Sequence, residues 1–236
     1  PGSFVQLTAD IIFNETVNRP FGLHGTACTP FKGYFDGQNH VISHLKIDCT
    51  RGYPCGLFCA LDQAVVNNVI IDETCSFTQT GQSPVGSLAG TAATYVRLSN
   101  VHSLATVSSV NTIGGLIGDV TTTAGLVNTG FSNCTFSGKV SFRNIGYRVE
   151  SYVGGLIGQV SHENNQPLSF NRCKSAGIFL LQGYSSCTVK SGGIIGFFHF
   201  VSGSELDITE CEFDGRISAE NGATYHAGGL IGQVEA

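Results

Sequence analysis

Apolar and polar positions alternate along this chain in short runs, and the runs align with one another at intervals of roughly three dozen residues. One set reads Val66-Asn67-Asn68-Val69, Leu98-Ser99-Asn100-Val101, Phe131-Ser132-Asn133-Cys134, Phe170-Asn171-Arg172-Cys173 and Ile208-Thr209-Glu210-Cys211. Six residues beyond the fourth position stand Cys75, Val107, Val140, Phe179 and Ile217, and two further on Phe77, Ser109, Phe142, Leu181 and Ala219. A glycine-rich run closes each unit. It is Gly-Gly-Leu-Ile-Gly at 114–118, 154–158 and 228–232, nearly the same at Gly192-Gly193-Ile194-Ile195-Gly196, and looser at 85–90 and 55–59. Six copies, 28 to 40 residues apart, identify an array of equivalent units.

Each unit supplies three short apolar stretches with strand periodicity. Columns of like residues at equivalent positions are what stacked parallel strands produce, with successive strands about 4.8 Å apart. A helical solenoid fails on local chemistry. The motif would place three glycines within five residues of a helix, at about 1 kcal/mol each relative to Ala. The pattern therefore predicts an all-β parallel β-helix (solenoid) of about six coils with three short strands per coil. One coil has too small a core to offset about 1–2 kcal/mol of backbone ordering per residue, so the coils fold as a stack.

Upstream of the repeats, residues 4–13 are rich in β-branched and aromatic side chains and read as strand, and 41–47 alternate as a strand does. Residues 1–3 read as an expression scar, 4–54 as an N-terminal coil with extra cysteines, and 55–236 as repeat coils of the same domain, cut from a larger protein.

Composition narrows the function classes. Gly numbers 31 of 236 residues, about twice ordinary usage, and only 12% of residues are charged. Such a chain is too apolar for disorder. A net charge of −5 with 12 Lys plus Arg argues against nucleic acid and against an anionic membrane surface. No apolar run reaches the roughly 18 residues of a membrane span.

Residues 31–42, Phe-Lys-Gly-Tyr-Phe-Asp-Gly-Gln-Asn-His-Val-Ile, followed by Gly56-Leu57-Phe58, resemble the opening segment of GLUG-motif surface proteins. The Asn-Cys, Gly-x-Val and Gly-Gly-Leu-Ile-Gly units resemble the GLUG repeat, and the resemblance spans roughly residues 4 to 234. It implies a right-handed parallel β-helix on a large exported or cell-surface polypeptide, a class that includes adhesins and bacterial IgA-cleaving metallopeptidases. The cysteines depart from the usual bacterial pattern. With the sequons at Asn14 and Asn133, both glycosylation candidates, they suggest a secreted eukaryotic protein.

Nine cysteines cannot all pair within the chain. Cys28, Cys49, Cys55 and Cys59 cluster in and beside the N-terminal coil and are the disulfide candidates, with connectivity open. Cys55 and Cys59 replace the outer glycines of the motif, so each is expected to bridge to another segment. Cys134, Cys173 and Cys211 share a column with Val69 and Val101 and are expected as a buried ladder of free thiols. Cys75 reads as core and Cys187 as a loop thiol.

His162-Glu163-Asn164-Asn165-Gln166 lacks the second His of a zinc-protease helix and reads as a solvated loop. Asp36, Asp48, Asp72, Asp119, Asp207 and Asp214 are the carboxylates a sugar-cleaving β-helix would draw on, and no pair recurs on adjacent coils. No catalytic or metal site and no cofactor is expected. In the glycine motif the Leu column and the next column are both apolar. Either the strand bends to bury both, or Phe58, Ile117, Ile157, Ile195 and Ile231 form a stripe for a partner. Tyr147, Tyr152, Tyr184 and Tyr225, which precede glycine motifs, are candidate ligand-face aromatics.

The expected function is a non-enzymatic, extracellular β-helical segment of an adhesin. It would bind a host or neighbouring-cell surface protein or glycan and adjoin other domains of its parent chain, without nucleic acid or direct membrane insertion. A carbohydrate-active enzyme and a structural wall spacer are the alternatives.

Overall fold

A computed structural model describes residues 2–14, 19–24, 27–50, 52–122, 129–144, 150–163, 167–201 and 205–235, without the side chains of 185, 186, 221 and 222. The described chain is all strand and loop, wound as a parallel β-helix. The motif strands Phe58–Ile71, Ala89–Ala92, Ile117–Thr122, Ile157–His162, Ile195–Phe200 and Ile231–Glu235 pair side by side in that order. Their register runs Phe58, Ala89, Ile117, Ile157, Ile195, Ile231, a ladder of six rungs.

Two further ladders complete each coil. The second face stacks Val96–Ser103, Thr129–Ser132, Leu168–Asn171 and Leu206–Thr209. The third stacks Lys46–Cys49, Ser76–Gln79, Thr106–Ser109, Lys139–Arg143, Ile178–Gly192 and Arg216–Gly228. Some strands run through a corner unbroken, as Phe58–Ile71 does, and others divide there. The three apolar stretches of each unit thus map to three faces rather than to three discrete strands.

The corners explain the repeat. At the glycine corner a Cβ on Gly154 would stand 1.8 Å from the Ile157 carbonyl oxygen, and one on Gly114 1.7 Å from that of Ile117. Only hydrogen fits. The backbone then bends so sharply that the N–H groups of both Leu156 and Ile157 donate to the single carbonyl of Ile194, each at 3.0 Å. The bend turns both apolar columns inward. Leu116, Ile117, Leu156, Ile157, Ile194 and Ile195 are all 0–1% exposed, so the motif presents no apolar stripe outside.

The opposite corner uses a left-handed residue in every coil. Asn68, Asn100, Asn133, Arg172 and Glu210 have φ of 50° to 56°. Asn tolerates this region because its short polar side chain bonds locally. Here those side chains also form a ladder. Asn68 Nδ2 donates to Asp36 Oδ1 at 2.9 Å, Asn100 to Asn68 Oδ1 at 3.0 Å, and Asn133 to Asn100 Oδ1 at 3.0 Å. Arg172 and Glu210 continue the column as an ion pair at 2.7 Å.

Apolar columns fill the space between the faces, with Phe131 stacked on Phe170 at 4.8 Å. Leu206, Ile208, Phe213 and Ile217, on the last coil, are half-buried.

Two column assignments shift. Val107 pairs with Phe77, not Cys75, and Ser109 with Gln79. The corner at Asp72–Cys75 is two residues longer than that at Leu104–Ala105, which a fixed offset cannot register. Cys55 pairs with Val85, and Val85 with Ile113. The outer glycine of the first rung is therefore Gly56, and Cys55 is a core residue beside it, because that corner is one residue short.

Candidate ligand-binding face

One outward column on the second face runs through the stack in register: Phe4, Tyr34, Val65, Arg97, Gly130, Ser169, Asp207. Beside it runs Asn67, Ser99, Ser132, Asn171, Thr209. Alternation along each strand sends these residues out while Leu98, Phe131 and Phe170 point in. Gly130 contributes no side chain, so the surface sinks between Arg97 and Ser169. The depression has a volume of about 310 Å³, and its rim carries Asn67, Arg97, Ser99, Ser132 and Asn171. Its hydroxyls, amides and guanidinium are donors for a polar ligand, and the Arg97 guanidinium lies 5.2 Å from the Tyr95 ring. At one end of the column Phe4 and Tyr34 stack with centroids 5.3 Å apart and planes within 2°, and Phe4 is 69% exposed. No repeat pattern flags this column, since its members differ from coil to coil.

The four tyrosines fare differently. Tyr147 lies outside the described residues. Tyr184 is exposed. Tyr152 packs against Phe197, centroids 4.7 Å apart, and its hydroxyl donates to Glu150 Oε2 at 3.0 Å. Tyr225 is not a ligand-face aromatic. Register with Val189, an inward position, turns its ring toward the core, where the hydroxyl accepts from the Gly183 N–H at 2.9 Å and lies 2.9 Å from the Glu220 carbonyl oxygen.

Two disulfides fasten the N-terminal region. Cys28 joins Cys59, Cα atoms 5.9 Å apart, and Cys49 joins Cys55 at 6.1 Å. Cys134, Cys173 and Cys211 stack on successive rungs as free thiols, with the Cys173 N–H 3.4 Å from Cys211 Sγ. The first two are fully buried and Cys211 is half-buried, for it lies on the last coil. Burial pushes the Cys75 thiol up to about 11. Cys187 is not in a loop: it lies on Ile178–Gly192, buried, with Asn144 Nδ2 at 3.6 Å.

Asn14 is exposed, and the rest of its sequon lies outside the described residues. Asn133 is also exposed, in the asparagine ladder, and the Thr135 hydroxyl of its sequon sits 2.8 Å from His102 Nδ1. His162 departs from the solvated-loop expectation. Strand alternation carries it inward at 1% exposure, against the Thr122 hydroxyl and 6.2 Å from the Phe198 ring; Asn164–Gln166 lie outside the described residues. Among the described residues no three His, Cys, Asp or Glu side chains converge as a metal site.

No protein-family model matches the chain. Halomucin from Haloquadratum walsbyi is 36% identical over 124 residues, 48% of this chain and 1% of that protein. The immunoglobulin A1 protease of Streptococcus sanguinis is 28% identical over 132 residues, 56% of this chain and 6% of that one. The chain thus spans only a small fraction of either relative. Among solved structures, a Bacteroides ovatus protein provisionally named an immunoglobulin A1 protease superposes with a TM-score of 0.51 at 19% identity, over 96% of this chain and 76% of that one. This is a β-helical repeat protein. The expectation of a non-enzymatic protein is corrected by these comparisons, because two of the similar proteins carry the name of a protease.

Proposed function

We propose that the chain is a GLUG-type β-helical segment of a surface or secreted protein, and that its second face binds an extended glycan. The carrying observation is the unbroken outward column from the Phe4–Tyr34 stack to the depression over Gly130. Rungs repeat about every 4.8 Å, so a linear chain of sugars lying along the axis meets a new set of side chains at each rung. Aromatic faces suit the apolar faces of sugar rings, and the donors of Arg97, Asn67 and Asn171 suit their hydroxyls. Halomucin and proteases of an immunoglobulin are names that fit work outside the cell, which supports an extracellular place for this segment too. In a protein of the protease kind, the face would hold a glycosylated partner close to chemistry performed by the parent chain.

A glycan array probed with the purified chain tests this reading. Binding to a defined glycan set should be lost in Arg97→Ala and in Gly130→Gln, which fills the depression, while circular dichroism stays unchanged. Absence of binding to any glycan, or binding indifferent to both substitutions, contradicts it.

A further inference from the structure

Around the depression over Gly130, Arg97 is the single charged residue. The polar groups beside it, on Asn67, Ser99, Ser132, Ser169 and Asn171, are hydroxyls and amides without charge. Two other outward cations of the solenoid find a carboxylate on the next rung. Lys174 meets its rung partner Glu212 at 3.1 Å, and Arg172 meets Glu210 at 2.7 Å. Arg97 has Val65 on the rung before it and Gly130 on the rung after. Among the described residues no ion pair reaches it.

The carboxylates of the two outward columns do not answer Arg97 either. Asp36 lies two rungs before it and accepts hydrogen bonds from Asn68 Nδ2 at 2.9 Å and from the Gln38 N–H at 3.0 Å. Asp207 lies three rungs beyond, past Gly130 and Ser169. At about 4.8 Å per rung, both stand roughly 10 Å or more away.

The space beside Arg97 is open for the same reason that its partner is missing. Gly130 presents bare backbone there, and a Cβ on it would already stand 2.8 Å from the Ser169 hydroxyl oxygen. On its other side the guanidinium lies 5.2 Å from the centroid of the Tyr95 ring, a contact that favours one placement of the planar group. A planar fork of N–H donors thus borders a cavity of about 310 Å³ that holds no negative charge of its own. Guanidinium matches a carboxylate through two parallel N–H···O bonds, which a neutral hydroxyl cannot accept.

We propose that this depression selects a sugar bearing a carboxylate, the uronate unit of an acidic polysaccharide, with Arg97 binding the carboxylate and the hydroxyls and amides around it binding the ring hydroxyls. The inference rests on the glycan-binding reading of the second face and names the class of glycan. A uronate polymer suits an extended face because it carries its charge within the chain rather than at one end.

The test uses the whole chain and tetrasaccharides of galacturonate, glucuronate and mannuronate, each beside its methyl ester, followed by calorimetry at pH 7 and low salt. Saturable binding of at least one acid form is expected, with its ester at least about tenfold weaker. Added salt should weaken the acid and leave the ester unchanged. Arg97→Gln should bring the acid down to the affinity of the ester, and Arg97→Lys, a point charge without the fork, should keep part of the preference. Melting curves that match the wild type establish that both variants are folded. No saturable binding of any acid form, equal binding of acid and ester, or a preference that survives Arg97→Gln overturns the proposal. If neutral or sulfated oligosaccharides bind instead, and Gly130→Gln abolishes that binding, the glycan face stands and the uronate assignment falls. Binding to no glycan of any kind overturns both.

Discussion

Two corners turn every coil of this solenoid, and they do so by different chemistry. At the glycine corner an added Cβ would fall inside the van der Waals surface of a backbone oxygen, so the residue cannot vary. At the asparagine corner the left-handed backbone is disfavoured for a side chain rather than forbidden, and Asn, Arg and Glu all occupy it. The first corner therefore repeats in sequence and the second drifts. The contrast also sorts the two outer surfaces. Outside the glycine corner Lys190 is packed to 4% exposure between Glu150 and the Phe197 ring, whereas the asparagine corner borders the open polar face.

Breaking the glycine corner should have the largest effect. Gly154→Ala forces the Ile157 carbonyl and the rungs on either side to shift, and should lose about 3 kcal/mol or more by overpacking, read as a fall in the urea midpoint. Asn100→Ala should lose less, about 1–2 kcal/mol, from the left-handed backbone and the ladder bonds to Asn68 and Asn133. If Asn100→Ala cost more than Gly154→Ala, the distinction between forbidden and disfavoured corners would be wrong.

Outside the glycine corner, pH supplies the next effect. The Asp119 carboxyl stands at about 6 in the fold against an ordinary 3.8. Between those values the folded chain keeps a proton that the unfolded chain has released, so stability falls as pH rises through that window and levels off above it. The drop should be roughly 1–2 kcal/mol, allowing for the partly exposed edge of the residue. Asp119→Asn should remove this part of the pH dependence, measured by denaturant melts at pH 4.5 and 7.5; an unchanged slope would count against a buried carboxylate. The smallest effect belongs to Arg172→Gly. It relieves the left-handed backbone and loses an ion pair with both partners in solvent, so the midpoint should rise slightly.

The fold was legible because parallel stacking writes itself into sequence as columns, and Phe131, Phe170 and Cys134, Cys173 carry that signal plainly. Register failed where a corner changed length, at Asp72–Cys75 and at Cys55. Recurrent Asn at 68, 100 and 133 was visible, but a positive φ is a backbone property that Arg172 and Glu210 disguise. His162 and Tyr225 were misplaced for another reason. His162 sits where a strand runs on past its motif and Tyr225 where one runs up to it, and alternation rather than polarity decides which way each side chain points. The face over Gly130 is built from unlike residues on successive rungs, so it leaves no periodic trace. The protease names of the similar proteins likewise have no counterpart in the repeat pattern.

In-register winding is the claim beneath all of this, and pairwise cysteine cross-linking tests it most directly. Ser99 and Ser132 are outward neighbours on adjacent rungs, while Asn171 is one rung further from Ser99. Adjacent rungs put Cα atoms about 4.8 Å apart, inside disulfide range, and two rungs put them beyond it. Under mild oxidation the pair Ser99→Cys with Ser132→Cys should link in high yield, and Ser99→Cys with Asn171→Cys should not, as mapped by peptide mass spectrometry. Failure of the first pair to link, or equal linking of the second, would contradict the account.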